Sequence, residues 1–484
     1  DSVAARHRSS PGSTGANPLC ALRFVGDNLP VGFGARAASL VCCVGALACG
    51  QVTIEEQVAP SAPAEGWVRT WSGSGQTELH ALAVGSERVW VGGQFTGTTD
   101  FDPGPTALEL VGADASEPSG YLSWFAVDGT WLGARTSFIP ESIAADPEGG
   151  AYLIGMQGST LGNGEVFLQR VGADGHELWT HSWDWAAVFF SGAVTVVPDG
   201  GVVASFKYHV PTDLDPGPAE WTVETQGGED VAIVAFAPDG GFRWGSTFGG
   251  PGDDSGGASA SMPDGGVIVS GSVADPSAPG SFGADHAWLA RLDAHGAKLW
   301  SREWGGDHHA SAGGVAVDQN GTIYLFQHLG IAEGGSASID LDPGPGTHFV
   351  TVYNNELFLS RFDAECGFRW AEPNLGGSLW ARADSVMIAG WCGAIVDLDP
   401  GLALDPCVGM FGMTVSAEGE YLGTKQRPAD SSGNWAYSAI GPRDASTLFV
   451  AGQYFEPAKQ PNPFGPPFAP VPGNGSFLAL APLD

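Results

Sequence analysis

The sequence predicts an all-β chain, a seven-bladed β-propeller of four-stranded antiparallel blades. Three observations predict it. A short β-branched and aromatic run bounded by Gly and Asp recurs seven times, from Val89-Trp90-Val91-Gly92-Gly93 to Leu448-Phe449-Val450-Ala451-Gly452. Turns such as Pro198-Asp199-Gly200-Gly201 and Asp318-Gln319-Asn320-Gly321 recur beside it, and Asp-Gly and Asn-Gly supply the positive φ that tight hairpins need. No stretch carries the 3.6-residue apolar period of a helix. Four short strands per repeat is the pattern of a propeller blade. Two β-sandwich-like domains or a β-solenoid are the alternatives, although solenoid repeats are usually shorter.

Taken in order, the chain opens with a leader. Arg36 precedes the apolar run Ala37 to Gly50, which is too short for a bilayer span of roughly twenty residues. A basic residue ahead of a short apolar core that ends in small residues is the pattern of a secretory signal. The ending Ala46-Leu47-Ala48-Cys49-Gly50 resembles a bacterial lipoprotein box, except that Leu usually sits one position earlier. The resemblance implies lipidation at Cys49. Residues 1–49 are thus expected to be a leader. Residues 50–66, with Pro60 and Pro63, read as a flexible tether. Residues 67–484 form the propeller, in units of 67–130, 131–176, 177–241, 242–297, 298–367, 368–420 and 421–484.

Each unit opens on an aromatic strand, as in Leu178-Trp179, Phe242-Arg243-Trp244, Leu299-Trp300 and Phe368-Arg369-Trp370. A second strand leads to the Asp-Gly turn and the recurring apolar run. A fourth strand, such as Ala232-Ile233-Val234-Ala235-Phe236 or Trp288-Leu289-Ala290-Arg291-Leu292, ends at another Asp-x-x-Gly turn. The run Asp293-Ala294-His295-Gly296-Ala297-Lys298-Leu299-Trp300, followed by Gly305-Gly306-Asp307, resembles the bacterial β-propeller repeat proteins. The resemblance covers the third to fifth units well and the rest loosely. It implies an exported bacterial propeller, a group usually without an assigned function. The Gly-x-x-Leu-Trp element alone also resembles the repeats of quinone-binding dehydrogenases.

The 484 residues hold 54 acids and 20 bases, a net charge of −34. Nucleic acid is excluded as a partner, because phosphate binding needs clustered Lys and Arg. An anionic membrane surface is excluded too, so membrane attachment is expected only through the N-terminal lipid. Seven Cys in this length exclude a disulfide-stapled miniature fold. Cys392 and Cys407 flank an acidic loop between neighbouring strands, and a disulfide there would clip it, worth about 3 kcal/mol. Cys366, in a turn, is left free.

An acidic loop motif recurs between the third and fourth strands of a unit. It reads Asp100-Phe101-Asp102-Pro103-Gly104-Pro105, Asp213-Leu214-Asp215-Pro216-Gly217-Pro218, Asp340-Leu341-Asp342-Pro343-Gly344-Pro345 and the degraded Asp397-Leu398-Asp399-Pro400-Gly401-Leu402. One reading is structural. Pro-Gly favours a turn, the first Asp accepts local amide hydrogens, and the residue between the acids points inward as an anchor. The other is calcium, since Asp-x-Asp sets two carboxylates together and hard cations take oxygen ligands. Asp100, Asp102, Asp213, Asp215, Asp340, Asp342, Asp397 and Asp399 would be its ligands. No other cofactor is expected.

The long loops share one side of the ring and the short Asp-Gly turns the other. Function sits on elaborated loops over a rigid scaffold, so the long-loop side, including Asp253, Asp254, Asp307 and His308, is the expected binding face. No Gly-x-Ser-x-Gly elbow or His-Glu-x-x-His motif occurs, and no catalytic residue is picked out. The function expected is that of an exported, lipid-anchored, monomeric module. It would bind or scaffold a protein or polysaccharide at the bacterial cell surface. The alternative is a propeller enzyme, either a quinone-dependent dehydrogenase or a polysaccharide-active enzyme. A mouth of the central channel lined by Gly, Ala and Thr favours the first, and convergent His, Arg and carboxylates favour the second.

Overall fold

A computed structural model describes residues 39–43, 49–53 and 66–482. Outside the description lie 113–117, 160–162, 185–187, 190–191, 275–284, 306–307, 332–335, 354, 374–376, 398–405, 428–434, 445–446 and 455–474. Every regular element among the described residues is a β-strand. The chain divides into two compact units between Ala62 and Pro63. In the first, strands Ser39–Cys43 and Cys49–Thr53 form an antiparallel hairpin that sets Cys43 opposite Cys49. The rest of the expected leader, and residues 54–65 of the tether, lie outside the described residues.

The second unit is the propeller. Its sheets begin with Thr77–Val84, Arg88–Phe95, Ser119–Ala126 and Trp131–Ser137 in blade 1. Blade 2 is Ile139–Ala145, Ala151–Ser159, Asn163–Val171 and Glu177–Asp184. Blade 3 has its inner strand split into Val188–Phe189 and Val194–Val196, followed by Val202–Tyr208, Asp230–Phe236 and Phe242–Phe248. Blades 4, 5 and 6 begin at Ser255, His309 and Ser378 and end at Trp304, Pro373 and Arg427. Blade 7 joins Trp435–Pro442, Thr447–Tyr454 and Gly475–Pro482 to the strand Trp67–Gly73 from the other end of the chain.

The sheets are therefore offset by one strand from the sequence units. The aromatic strand that opens each unit is the outer strand of the preceding blade. The tight Asp-x-x-Gly hairpin pairs it with the strand before it, as Asn163–Val171 pairs with Glu177–Asp184. One strand is thus left over at each end of the propeller, and the two pair, from Trp67 opposite Leu480 to Ser72 opposite Gly475.

Seven apolar clusters fill the seven spaces between consecutive blades, including the one between blades 7 and 1. Burial on both faces explains why middle strands such as Asp230–Phe236 read as continuous apolar runs, without alternation.

The aromatic strand opening also has a defined partner. Indole Nε1 of Trp179, Trp244, Trp300 and Trp370 donates to a carbonyl in the tight turn between the third and outer strands of the next blade, at Pro238, Ala294, Ala364 and Ala417, over 2.9–3.1 Å. The turn Gly lies against that ring. A Cβ on Gly296, at φ +80°, would come within 2.5 Å of Trp244. In blade 5 the turn holds Cys366 at φ +64° instead, buried against the same cluster as Trp300. Burial pushes its thiol up to about 12, so the free cysteine is held as an unreactive thiol. Within these turns the Asp carboxylate accepts amide hydrogens two to four residues on, as Asp293 does from His295 and Ala297. Much of the acidic composition is accounted for by local turn acceptors of this kind.

Candidate functional site

The acidic motifs form straps over the blade seams. Hairpins Thr98–Asp100/Glu109–Val111, Thr212–Asp213/Thr222–Val223 and Ala337–Asp340/Phe349–Val352 leave blades 1, 3 and 5. The three loops are equivalent. Asp100 Oδ1 accepts from the amides of Asp102 and Leu108 at 3.1 and 2.9 Å. Asp213 accepts from Asp215 and Trp221, and Asp340 from Asp342 and His348. The second Asp accepts from the Gly amide at 2.7–2.8 Å. Phe101, Leu214 and Leu341, between the acids, are fully buried. They anchor the straps in the clusters between blades 7 and 1, 2 and 3, and 4 and 5. The tips run along the outer strands: Asp102–Gly104 lie beside Val68–Thr70 and Gly129–Trp131.

No group of three or more His, Cys, Asp or Glu placed to hold a metal occurs among the described residues. In the three described straps one oxygen of each motif Asp is bonded to the backbone, which supports the structural reading of the loop. The melting temperature is accordingly expected to be the same in excess calcium as in chelator, within about 2 °C for a chain of this size. A larger upward shift with calcium would restore these aspartates as ligands. Asp397 lies at the end of a strand and Asp399 outside the described residues.

The innermost strands converge on the propeller axis. The described ones are rich in small residues, as in Ser255–Ser261 (SGGASAS) and Ala310–Ala316. Each of five carries a bulge. The residues skipped there are Gly257 and Ala258 in blade 4, Gly313 and Gly314 in blade 5 and Ser438 in blade 7. In blades 1 and 2 they are His80 and Glu141. Bulges re-aim side chains. Here they bring His80 Nδ1 to 3.0 Å from Glu141 Oε1 across the seam. Glu78 Oε2 lies 3.9 Å from His80 Nε2 and accepts from Gln94 Nε2 at 2.6 Å. Burial works against the charged ring. The hydrogen bond and charge of Glu141, with Glu78 behind it, outweigh burial and hold His80 above the ordinary histidine value. Sequence reasoning missed this group, because its members are separated by a blade and belong to no motif.

A cleft of about 620 Å³ opens in the same seam, lined by Arg135, Ser137, Phe138, Phe167, Gln169 and Thr180 among others. Among the described residues no hairpin strap lies over it, and the loop joining Ala151–Ser159 to Asn163–Val171 has only three residues.

The residues expected on the binding face are placed as follows. Asp254 is buried, not presented to solvent. It accepts from the amides of Gly250 and Ala274 and lies beside the equally buried Asp230 next to Gly249. Asp253 accepts from the Glu229 amide at 3.2 Å. Asp307 lies outside the described residues. His308 is half-buried beside His309, whose ring meets Asp285 at 3.2 Å and stacks edge-on with His328. The backbone register sets Cys392 opposite Gly409 and Cys407 opposite Val396, and the side chains of this pair lie outside the description.

No protein-family model and no curated protein matches the chain. Among solved structures it is similar to a puromycin hydrolase variant, with 15% identity, a TM-score of 0.35 and coverage of 81% of this chain and 61% of the hydrolase. It is also similar to an ulvan lyase, with 11% identity, a TM-score of 0.43 and coverage of 81% and 92%. The apocarotenoid oxygenase of Synechocystis gives 9% identity, a TM-score of 0.39 and coverage of 81% and 88%. The chain spans about three fifths of the hydrolase it matches. Likeness at this level carries no argument about activity.

Proposed function

We propose that the chain is an exported, lipid-anchored propeller of the bacterial envelope that binds an extracellular polysaccharide or protein on its long-loop side. The observation that supports it most is the composition of the innermost strands of blades 4 and 5, where Ser, Ala and Gly prevail. A catalytic channel mouth would need several convergent acids, bases and cations. The blade 1–2 seam, with His80 and Glu141 at its inner end, is the polar centre around which binding is organised.

The same pair supports the second reading, an enzyme. A histidine held by one carboxylate and backed by another is an arrangement suited to proton transfer. The test separates the two. Full-length protein is incubated with acidic and neutral polysaccharides, and both bound material and newly formed chain ends are measured. Binding without new chain ends, weakened but not abolished by His80→Ala, is the expected result. Formation of new ends that His80→Ala eliminates would replace the binding module with an enzyme.

A further inference from the structure

We infer that the open cleft between blades 1 and 2 binds a small sugar acid, a pyranose carrying a carboxylate. The first ground is Arg135. Three arginines at blade seams meet a carboxylate, Asp146 for Arg170 at 2.6 Å, Asp199 for Arg243 at 2.7 Å and Asp264 for Arg291 at 2.5 Å, whereas Arg361, like Arg135, has a buried Nε without a partner. Among the described residues Arg135 has no carboxylate within salt-bridge distance. One terminal nitrogen donates to the neutral Gln169 Oε1, and its buried Nε has no hydrogen-bond partner. Gln169 Nε2 is spent on Glu177 Oε2 and Thr180 Oγ1, at 2.9 and 2.8 Å. Burial, only partly offset by Glu177, holds Arg135 below the ordinary arginine value, as expected of a cation short of an anion. A ligand carboxylate supplies the missing charge in the form a guanidinium takes best.

The second ground is the rest of the lining. Ser137 Oγ is also buried without a partner. The buried Phe138 stacks on the half-buried Phe167, with rings 5.3 Å apart and 13° from parallel, so Phe167 is the lining ring against which the C–H face of a sugar can lie. The volume of about 620 Å³ falls in the range of small-ligand sites. The third ground is the absent strap. Three seams carry a strap of the protein's own chain, and among the described residues this one carries none.

This inference rests on the binding role proposed above and names its ligand class. The experiment is calorimetric titration of the full chain with D-glucuronate and D-galacturonate, with D-glucose and acetate as controls. One uronate is expected to saturate a single site and to weaken with added salt. Glucose and acetate are expected to bind at least tenfold less tightly, and Arg135→Gln to cost the uronate tenfold or more. No saturable uronate binding, equal binding of acetate or glucose, or unchanged binding by Arg135→Gln overturns the proposal. If Arg135→Gln does not fold, Ser137→Ala reads the same cleft, where unchanged uronate affinity overturns it and a loss supports it. A chain that captures polysaccharide or protein but no uronate keeps the binding role and loses this ligand. One that binds a uronate and cleaves its glycans keeps the ligand and loses the non-enzymatic role.

Discussion

Removal of residues 66–76 is expected to destroy the cooperative unfolding of the propeller. The deletion takes the strand Trp67–Gly73, which supplies the outer strand of blade 7 through pairs running from Trp67–Leu480 to Ser72–Gly475. It bares Gly475–Pro482 as an unpaired edge. It also removes Trp71, which is 2% exposed and packs on Phe125 with ring centroids 5.9 Å apart in the blade 7–1 cluster. Loss of one such indole, as in Trp71→Ala, costs about 3–5 kcal/mol. Net stabilities are of order 5–15 kcal/mol, so the whole strand weighs as much as the fold can lose. Denaturant titration followed by both circular dichroism and tryptophan fluorescence is the measurement. Separated, broadened transitions are expected. A single transition within about 1 kcal/mol of the full chain would show that the strand is dispensable.

Stability is also expected to fall as pH rises from 4 to 7, opposite to the usual acid denaturation. Asp230 and Asp254 are 0% and 1% exposed, and Asp230 Oδ1 is buried without a hydrogen-bond partner. Burial, with Asp230 beside it, outweighs the amides of Gly250 and Ala274 and pushes Asp254 up to about 6. Burial raises Asp230 as well, against the Gln226 amide. The pair holds one proton between them. An aspartate whose folded value is raised binds its proton more tightly in the native state than in the unfolded one. The stabilisation is complete below pH 4 and is lost as pH rises through 6, by about 3 kcal/mol for Asp254.

The aspartates bound to arginine work the other way. Hydrogen bonds from Arg243 hold Asp199 low, and Asp264 lies low beside Arg291 despite burial. Their stabilisation is lost below pH 4, so the maximum is expected near pH 4. Asp230→Asn places a permanent donor where the shared proton lies, beside Gly249, and keeps the Gln226 amide bond. It is expected to flatten the pH 4–7 slope and raise stability at pH 7. A slope unchanged by Asp230→Asn would contradict a shared proton at this pair.

The architecture was legible because both of its signals are local. The apolar runs are buried on two faces, and the tight turns and aromatic strand openings meet across four of the blade seams, as Trp300 meets the Ala364 carbonyl. The offset of the sheets was not legible, because sequence repeats do not state which of two flanking strands a unit's first strand bonds to. The motif reading was half legible. Phe101, Leu214 and Leu341 do anchor inward, but that the loops strap the rim is a matter of tertiary direction. Asp254 looked like a surface loop acid beside Gly252 and Asp253, and only the fold buries it on Asp230. His80, Glu141 and Arg135 carried no signal. Two bulges and one short loop, none visible as a pattern, bring them into the same seam.

The account depends most on the two ends of the propeller sharing one sheet. Val68 stands directly opposite Ala479, and both belong to the blade 6–7 cluster. Opposed residues of an antiparallel pair hold their Cβ atoms about 5 Å apart. Val68→Cys with Ala479→Cys should therefore form a disulfide on mild oxidation of the folded chain. Proteolysis would then leave a fragment joining residues 68 and 479, detected by mass. No cross-link in folded protein, with both thiols open to labelling, would contradict the closed seven-bladed ring.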